Sequence, residues 1–222
     1  MPEINYESAR RTMIASQLRT SDVLEERLLE AVARLPREDF VPAEYRNIAY
    51  VDVQIPIAEG AALLQPRLEG RMAQALEIQP RDTVLEVGTG SGYFAALLGL
   101  LAHAGRVTSV EIDAALAVAA RARIARAGLT NVTVVEGDAN RGVAMDLRYD
   151  AIAITASLPQ LPEHFRQALN IGGRLVAVLG EAPAMEMVCI RRIGPAQFER
   201  RSLFETELPA LRNAPRGSRF TF

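Results

Sequence analysis

Lysine is absent from this sequence, so all 25 of its basic residues are arginine. A chain without lysine cannot form a Schiff base with a carbonyl substrate and cannot supply the lysine of a P-loop. Cysteine occurs once, at Cys189, which excludes a disulfide framework within the chain and a thiolate metal cluster. The two histidines, His103 and His164, lie far apart in sequence. We therefore expect no bound metal and no Ser-His-Asp triad.

Charge and hydropathy narrow the class further. The formal net charge of −2 does not favour a general nucleic-acid binder. No run approaches the roughly 20 apolar residues that cross a bilayer, and residues 1–11 lack the apolar segment of a secretory signal. A chain of 222 residues that is 49% hydrophobic and 23% charged can form a sizeable core. We expect a cytoplasmic enzyme that does not bind membranes.

Basic residues concentrate near the C-terminal end. From residue 191 to the C-terminus there are seven arginines and three glutamates, a net charge of +4. The arginines are Arg191, Arg192, Arg200, Arg201, Arg212, Arg216 and Arg219. They fit either a solvated edge strand and tail or a patch for an anionic partner, and the sequence leaves both readings open.

Apolar strands alternate with helices in the second half of the chain. The predicted strands are Thr83–Val87, Arg106–Val110, Asn131–Val135, Asp150–Thr155 and Gly173–Leu179. The helices between them are Tyr93–His103, Asp113–Ala127 and Pro162–Leu169. This alternation predicts an α/β fold, doubly wound around a mostly parallel sheet. Two later β-rich runs, Glu186–Ile193 and Gln197–Phe204, predict an antiparallel hairpin at the edge of the sheet.

The N-terminal third has a different pattern. Residues 7–35 have helical periodicity in two segments, residues 36–66 carry four prolines and read as loop, and a helix is expected over residues 67–78. We divide the chain into an N-terminal helical and loop extension (1–66), a core (67–204) and a C-terminal tail (205–222).

A glycine turn follows the first strand of the core. Its sequence, Glu86-Val-Gly88-Thr-Gly90-Ser-Gly92-Tyr93, lets the backbone approach a ligand closely at the carboxyl end of the sheet. It is neither G-x-G-x-x-G, because Tyr93 replaces the last glycine, nor a P-loop. The second strand leads into Glu111, 23 residues after Gly88, where a carboxylate can accept hydrogen bonds from both ribose hydroxyls.

Glu-x-Gly-x-Gly-x-Gly with an acid after strand two resembles the S-adenosylmethionine-dependent methyltransferases with a Rossmann-like sheet. The resemblance implies that Asp138 meets the adenine amino group, although a helix N-cap is a rival role, and that Thr155-Ala156 faces the transferred methyl group. The positions expected to bind S-adenosyl-L-methionine are Glu86, Gly88, Thr89, Gly90, Ser91, Gly92, Glu111, Ile112, Asp138, Ala139 and Thr155.

Matches outside this core resemble one family, the protein-L-isoaspartate O-methyltransferases. They follow in order and include Met13-Ile-Ala-Ser-Gln-Leu18, Pro36-Arg-Glu-Asp-Phe-Val-Pro42, Ala49-Tyr-Val-Asp52, Ile55-Pro-Ile57, Gln65-Pro66, Val84–Tyr93, Tyr149–Ile152 and Gly172–Val176. The resemblance implies methylation of the α-carboxylate of isoaspartyl residues in peptides or proteins, an ester that then collapses to a succinimide.

The segment of residues 60–66, here called the acceptor loop, departs from that family. It reads GAALLQP, with Ala62 and Leu64 where the family has hydroxyl residues that contact the acceptor carboxylate. Residues 138–140 depart as well, reading Asp-Ala-Asn where the family usually has Asp-Gly-Thr. Leu64 and Gln65 are nevertheless the acceptor-loop positions expected nearest the reaction. The remaining positions expected to bind the acceptor are Pro56, Ile57, Gly60, Ala62 and Ala156.

Three functions remain open from the sequence. Gln65, loop amides or an arginine could bind the isoaspartyl carboxylate in place of the hydroxyls. The acceptor could instead be a different small molecule or protein group, more apolar than a carboxylate. A non-catalytic S-adenosylmethionine-binding protein is the third possibility, and the intact glycine turn and Glu111 argue against it. Nothing in the sequence predicts the oligomeric state.

Overall fold

The structure is a computed structural model that describes residues 4–142, 144 and 146–215. Its α-helices are α1 (Tyr6–Met13), α2 (Glu26–Arg34), α3 (Pro66–Leu76), α4 (Tyr93–Leu101), α5 (Ala114–Arg126) and α6 (Glu163–Gln167). Its strands are β1 (Ile55–Ala58), β2 (Ala61–Leu63), β3 (Thr83–Val87), β4 (Arg106–Glu111), β5 (Val132–Glu136), β6 (Tyr149–Leu158), β7 (Leu169–Glu181), β8 (Ala184–Gly194) and β9 (Gln197–Glu205).

Seven strands form the central sheet in the order β5-β4-β3-β6-β7-β8-β9. The five strands β3 to β7 are mutually parallel, while β8 and β9 add an antiparallel hairpin at one edge. The strand order switches at β3. The chain places β4 and β5 on one side of β3 and then crosses over to place β6 on the other side. In such doubly wound sheets, ligands bind in the crevice outside the carboxyl ends of the strands at this switch point.

Both faces of the sheet are covered, and adjacent residues of β3 alternate between them. Val84 belongs to a cluster with the N-terminal helices, α4 and α5, whereas Leu85 belongs to a cluster that includes Phe165 of α6. Burial on both faces explains why the adjacent residues Val84 and Leu85 are both apolar rather than alternating with polar residues. The predicted α/β fold and the edge hairpin are confirmed.

The N-terminal extension packs as helices and one small hairpin. After α1 the chain continues as a π-helical segment (Ile14–Leu18) and a short 3-10 turn (Arg19–Ser21) before α2. The proline-rich stretch, expected as loop, contains two 3-10 helices, Arg37–Phe40 and Ala43–Ile48, and the antiparallel β1–β2 hairpin. Proline suits the first turn of a helix, where an N–H would have no partner, and this is why α3 begins at Pro66.

Candidate active site

One cleft opens at the carboxyl ends of β3, β4 and β6. The acceptor loop lies along one side of it, and a C-terminal segment of residues 208–213, here called the C-terminal strap, lies along another. Predicted site residues that line the cleft are Ile57, Gly60, Ala62, Leu64, Glu86, Gly88, Thr89, Gly90, Ser91, Glu111, Ile112, Asp138, Ala139, Thr155 and Ala156.

Three of the predicted positions do not line the cleft. Pro56 is exposed on β1, and Gln65 precedes α3 with its side chain outside the cleft lining. Gly92 begins α4 and packs against α5, where a Cβ would meet the Cβ of Ala120 at 3.1 Å. Ligand contacts at these three residues, as at the others, stay predictions.

The glycine turn has a backbone that side chains would obstruct. Gly88 has a φ of +98°, and a Cβ there would lie 2.5 Å from Oγ1 of Thr155. Gly90 has a φ of +53°, and a Cβ there would lie 3.0 Å from Ile57. Both conformations disfavour L-residues with side chains. The turn therefore presents bare backbone to the cleft.

Glu111 is fixed at the end of β4 by backbone donors. Its Oε2 accepts a hydrogen bond from the N–H of Gly90 at 2.8 Å, and its Oε1 accepts one from the N–H of Asp113 at 3.0 Å. Each carboxylate oxygen can accept a further hydrogen bond. The carboxylate is thus held in one orientation and retains acceptor capacity toward the cleft, as a ribose diol requires.

Glu86 is a fully buried carboxyl group in the cleft wall. Its Oε2 accepts from the hydroxyl of Ser109, while its Oε1 has no hydrogen-bond partner among the described residues. Burial raises the pKa of Glu86 well above the usual range of a glutamate, and the nearby carboxylate of Glu111 raises it further. A cationic ligand group beside Oε1 would satisfy this acceptor and favour the ionised form.

The C-terminal strap meets the cleft through Ser157 of β6. The N–H of Ser157 donates to the carbonyl of Pro209 at 2.9 Å, and its carbonyl accepts from the N–H of Leu211 at 2.8 Å. Its hydroxyl donates to the carbonyl of Leu208 at 2.9 Å. The strap brings Pro209–Arg212 to the cleft, where the sequence predicted only a tail.

Asp138, which follows β5 and lines the cleft, is bonded to the C-terminal strap. Its Oδ1 accepts a hydrogen bond from the N–H of Asn140 at 2.9 Å. Asp138 thereby caps a short 3-10 helix (Ala139–Arg141), which is the alternative role that the sequence suggested for it. Its Oδ2 accepts from the side-chain amide of Asn213 at 2.9 Å. Capping does not exclude a ligand role, because Asp138 also lines the cleft.

The acceptor loop forms a largely apolar wall. Ala62 pairs with Pro56 across the β1–β2 hairpin, and Leu64 is buried with 5% of its surface exposed. Thr155 has a hydroxyl nearby, but that hydroxyl donates to the carbonyl of Gly88 at 2.7 Å. The acceptor loop is therefore a wall of the cleft and offers it no side-chain hydroxyl.

A buried ion pair that the sequence analysis missed lies behind the acceptor loop. Arg37 is wholly buried and contacts the carboxylate of Glu69, the carbonyl of Leu64 and, at 2.9 Å, the carbonyl of Ala49. Its guanidinium lies 4.5 Å from the ring centroid of Tyr93. Glu69 lines the cleft. Burial raises the pKa of Glu69 to about 7, although Arg37 opposes the rise.

The sequence does contain a pattern that marks Glu69 as unusual. It occupies the same face of α3 as Met72, Ala73 and Leu76, which are fully buried, so a charge there stands out against an apolar stripe. Further cleft residues that the sequence analysis did not single out are Phe94, Gly137 and Pro209–Arg212.

The C-terminal arginines are mostly engaged within the chain. Arg191 pairs with Glu77 at 2.7 Å, Arg200 pairs with Glu186, and Arg212 lies 3.6 Å from Asp113. Arg192 donates to the carbonyl of Leu169 at 2.6 Å. Arg216 and Arg219 lie outside the described residues. These contacts favour the solvated edge over a patch for an anionic partner.

Metal-binding groups and membrane-spanning helices are both absent from the described residues. Across residues 4–142, 144 and 146–215, no group of three or more His, Cys, Asp or Glu side chains is arranged to hold a metal ion. In that same part, every helix is too short or too polar to span a bilayer.

Comparisons with known proteins agree with the geometry. The family model for protein-L-isoaspartate(D-aspartate) O-methyltransferase matches residues 9–208. A protein-L-isoaspartate O-methyltransferase of Rhodopseudomonas palustris is 41% identical over 203 residues, which cover 91% of this chain and 92% of that protein. One from Methanoculleus marisnigri is 42% identical over 179 residues, or 81% of this chain and 80% of that protein.

A solved structure from Plasmodium falciparum, described as a protein-L-isoaspartate O-methyltransferase in complex with S-adenosyl-L-homocysteine, has the same fold. It superposes with a TM-score of 0.79, at 17% identity, over 95% of this chain and 99% of that chain. At that identity the likeness concerns the fold, whereas the family model and the sequence relatives concern the family. The chain belongs to the protein-L-isoaspartate(D-aspartate) O-methyltransferase family.

Proposed function

We propose that this protein is an S-adenosyl-L-methionine-dependent methyltransferase that methylates the carboxylate of isoaspartyl residues in peptides and proteins. The observation that carries the proposal is the cleft at the switch point of the sheet, complete with its glycine turn and three acids, in a chain that the family model matches over residues 9–208. The relatives named above bear the same activity in their names.

The cleft fits the cofactor group by group. Glu111, held by two backbone N–H groups, has acceptor capacity for the ribose hydroxyls. Asp138 can accept from the adenine amino group. Glu86, whose Oε1 has no partner within residues 4–142, 144 and 146–215, suits the cationic methionyl portion. The bare backbone of Gly88 and Gly90 allows close approach.

The chemistry needs little from the protein beyond placement. When bound, the cofactor supplies a methyl group on a sulfonium centre, an electrophile with a good leaving group. An isoaspartyl carboxylate has a pKa near 4 and is already ionised at pH 7, so no side chain has to act as general base. The protein has to hold the carboxylate in line with the methyl group and keep water away.

Two segments supply that placement and exclusion. The N-terminal extension (1–66) contributes the acceptor loop, whose apolar residues line the same cleft as Thr155 and Ala156. The C-terminal strap, bonded to Ser157, contributes Pro209–Arg212 to the lining. Together they can desolvate the carboxylate, which makes it a stronger nucleophile.

A second candidate is the same methyl transfer to a different acceptor. Ala62 and Leu64 favour it, since an apolar wall binds an apolar group better than a carboxylate. The deciding experiment incubates the protein with methyl-labelled S-adenosyl-L-methionine and an isoaspartyl peptide, then measures volatile methanol released from the ester in base. The matched aspartyl peptide is the control.

The expected result is methanol from the isoaspartyl peptide alone. Cofactor binding is measured beforehand by calorimetry. A protein that binds the cofactor but releases no methanol from either peptide would reject isoaspartate as the acceptor and favour the second candidate.

A further inference from the structure

Glu69 and Arg37 form a buried ion pair at the acceptor end of the cleft. Among the described residues that line or contact the acceptor loop, it is the only such pair. The loop residues Ala62 and Leu64 carry no hydrogen-bond donor in their side chains, and the hydroxyl of Thr155 is engaged with Gly88. A carboxylate that enters an apolar wall needs donors, because burying an ion without them is costly. Glu69 is the polar side chain of α3 that reaches this wall.

We propose that Glu69 binds the acceptor carboxylate by sharing one proton with it, while Arg37 behind it balances the remaining negative charge. The inference rests on the proposed function, since it assigns the carboxylate subsite of that same reaction. It makes Glu69 a determinant of the acceptor, in a position that supplies the donor the loop lacks.

The geometry of Glu69 supports the pairing. Its carboxylate faces the guanidinium of Arg37, which is fixed by two backbone carbonyls and by the ring of Tyr93. Arg37 cannot follow a ligand into the cleft because it is wholly buried. Glu69, in contrast, lines the cleft, so Glu69 rather than Arg37 can contact a ligand there.

The proton has a source and a destination. Two carboxylates in contact disfavour double ionisation, so a proton from solvent is taken up when the acceptor binds. The pair then holds one proton and one negative charge next to Arg37. Methyl transfer converts the acceptor carboxylate to a neutral ester. Glu69 then returns its proton to solvent and pairs again with Arg37, which weakens its hold on the product.

Among the charged and titratable groups around Glu69, Glu69 itself is the one that can carry the shared proton near neutral pH. Burial raises the pKa of Tyr93 to about 12. Glu86 of β3 is the other carboxyl group whose charge acts on this site, and burial raises its pKa as well. Glu69 itself has a pKa of about 7 in the free protein, raised by burial and lowered by Arg37.

The test is the pH dependence of kcat/KM at saturating cofactor, measured with an isoaspartyl peptide that has blocked termini and no group titrating between pH 6 and 9. For the natural protein, kcat/KM is expected to fall at least tenfold between pH 7 and pH 9 as Glu69 loses its proton. A flat profile in an active protein overturns the inference without touching the proposed function, whereas no turnover at any pH overturns the function itself.

Two substitutions locate the proton. Glu69→Gln keeps a donor that does not titrate, so its kcat/KM is expected to vary less than twofold over the same pH range. Glu69→Val removes the donor and is expected to raise KM at pH 7 about tenfold or more relative to Glu69→Gln. A Glu69→Gln protein that retains the full alkaline fall would assign the fall to another group, such as Glu86, and would overturn the inference.

Asp82→Asn provides the matched control. Asp82 forms the other buried ion pair, with Arg174 at 2.8 Å, at the opposite end of β3 from the cleft. Its loss tests the effect of breaking a buried pair as such. The expected profile is the same alkaline fall as in the natural protein, and a flattened profile here would show that destabilisation alone removes the pH dependence.

Discussion

Asn213 donates a side-chain N–H to Oδ2 of Asp138 over 2.9 Å, so the C-terminal strap is bonded to the carboxylate that we expect to accept the amino group of adenine. An amide NH₂ and an adenine NH₂ are equivalent donors for that oxygen. The strap therefore competes with, or shares, the adenine subsite. Asn213 also has a φ of +58°, a conformation in which asparagine and glycine are tolerated.

Replacing Asn213 tests this competition. Asn213→Gly removes the amide without straining the backbone, and we expect S-adenosyl-L-homocysteine to bind at least about tenfold more tightly, since one hydrogen bond to the Asp138 carboxylate no longer has to be exchanged. Calorimetry gives the dissociation constant, with Asp138→Ala as the control expected to lose affinity. Weaker binding by Asn213→Gly would instead show that the strap's amide helps to hold the cofactor.

Glu111 gives a sharper prediction for the ribose subsite. Glu111→Ala removes two charge-assisted acceptors and is expected to weaken S-adenosyl-L-homocysteine binding at least a hundredfold. Asp113→Ala is the neighbouring control: Asp113 caps α5 through the N–H groups of Ala115 and Leu116 and lies outside the cleft lining. It should weaken the cap of α5 and leave the affinity within a fewfold. Equal affinities for the two variants would remove the ribose role.

The parts of the site that depend on short-range sequence patterns could be predicted from the sequence. Short, mostly apolar segments such as Thr83–Val87 predict buried parallel strands, and the carboxyl ends of such strands converge, so the sequence alone places Glu86, Glu111 and Asp138 in one cleft. Alternation of strands and helices was equally sufficient for the fold. These features repeat over short distances along the chain.

The parts that were missed depend on contacts between distant segments. The C-terminal strap joins β6 through two backbone hydrogen bonds of Ser157, with Pro209 and Leu211, and through the Ser157 hydroxyl, which donates to the carbonyl of Leu208. Backbone hydrogen bonds leave no side-chain pattern to read, and a single serine is too common to mark such a contact. Arg37 and Glu69 are 32 residues apart. The charge of Glu69 on an apolar face was visible in the sequence, but its partner could not be chosen among 25 arginines.

Arg37 provides a prediction for stability. Arg37→Met keeps the aliphatic stem and leaves Glu69 without its buried partner, a change that typically costs about 3–5 kcal/mol. Without Arg37, the pKa of Glu69 rises further above its value in the unfolded chain. The folded variant then keeps the Glu69 proton at pH values where the unfolded chain has already released it, so its stability should fall as pH rises from 6 to 8.5 toward the folded pKa.

Urea unfolding at both pH values measures the effect. Arg191→Ala, which breaks the exposed pair with Glu77, is the control and should change the free energy of unfolding by less than about 1 kcal/mol at either pH. A loss in Arg37→Met that is the same at pH 6 and 8.5 would mean that the ionisation of Glu69 does not contribute.

The acceptor loop is open to a gain-of-function test. Leu64→Ser with Ala62→Thr adds two hydroxyls to the wall of the cleft, and each hydrogen bond to a charged carboxylate is worth about 1.5–3 kcal/mol. We expect KM for an isoaspartyl peptide to fall about tenfold or more. The cost is in stability, because Leu64 is 5% exposed and losing its buried side chain removes about 2–4 kcal/mol.

The single change Ala62→Thr separates the two effects. Ala62 lies half-buried on β2, where a β-branched residue is well tolerated, so this variant adds one hydroxyl with little loss of stability. If Glu69 supplies the donor in the natural protein, the added hydroxyls should also make the alkaline fall in kcat/KM shallower, since the carboxylate then has donors that do not titrate. A double variant that binds the cofactor, folds and shows no gain on the isoaspartyl peptide would mean that the apolar wall is not what limits this acceptor.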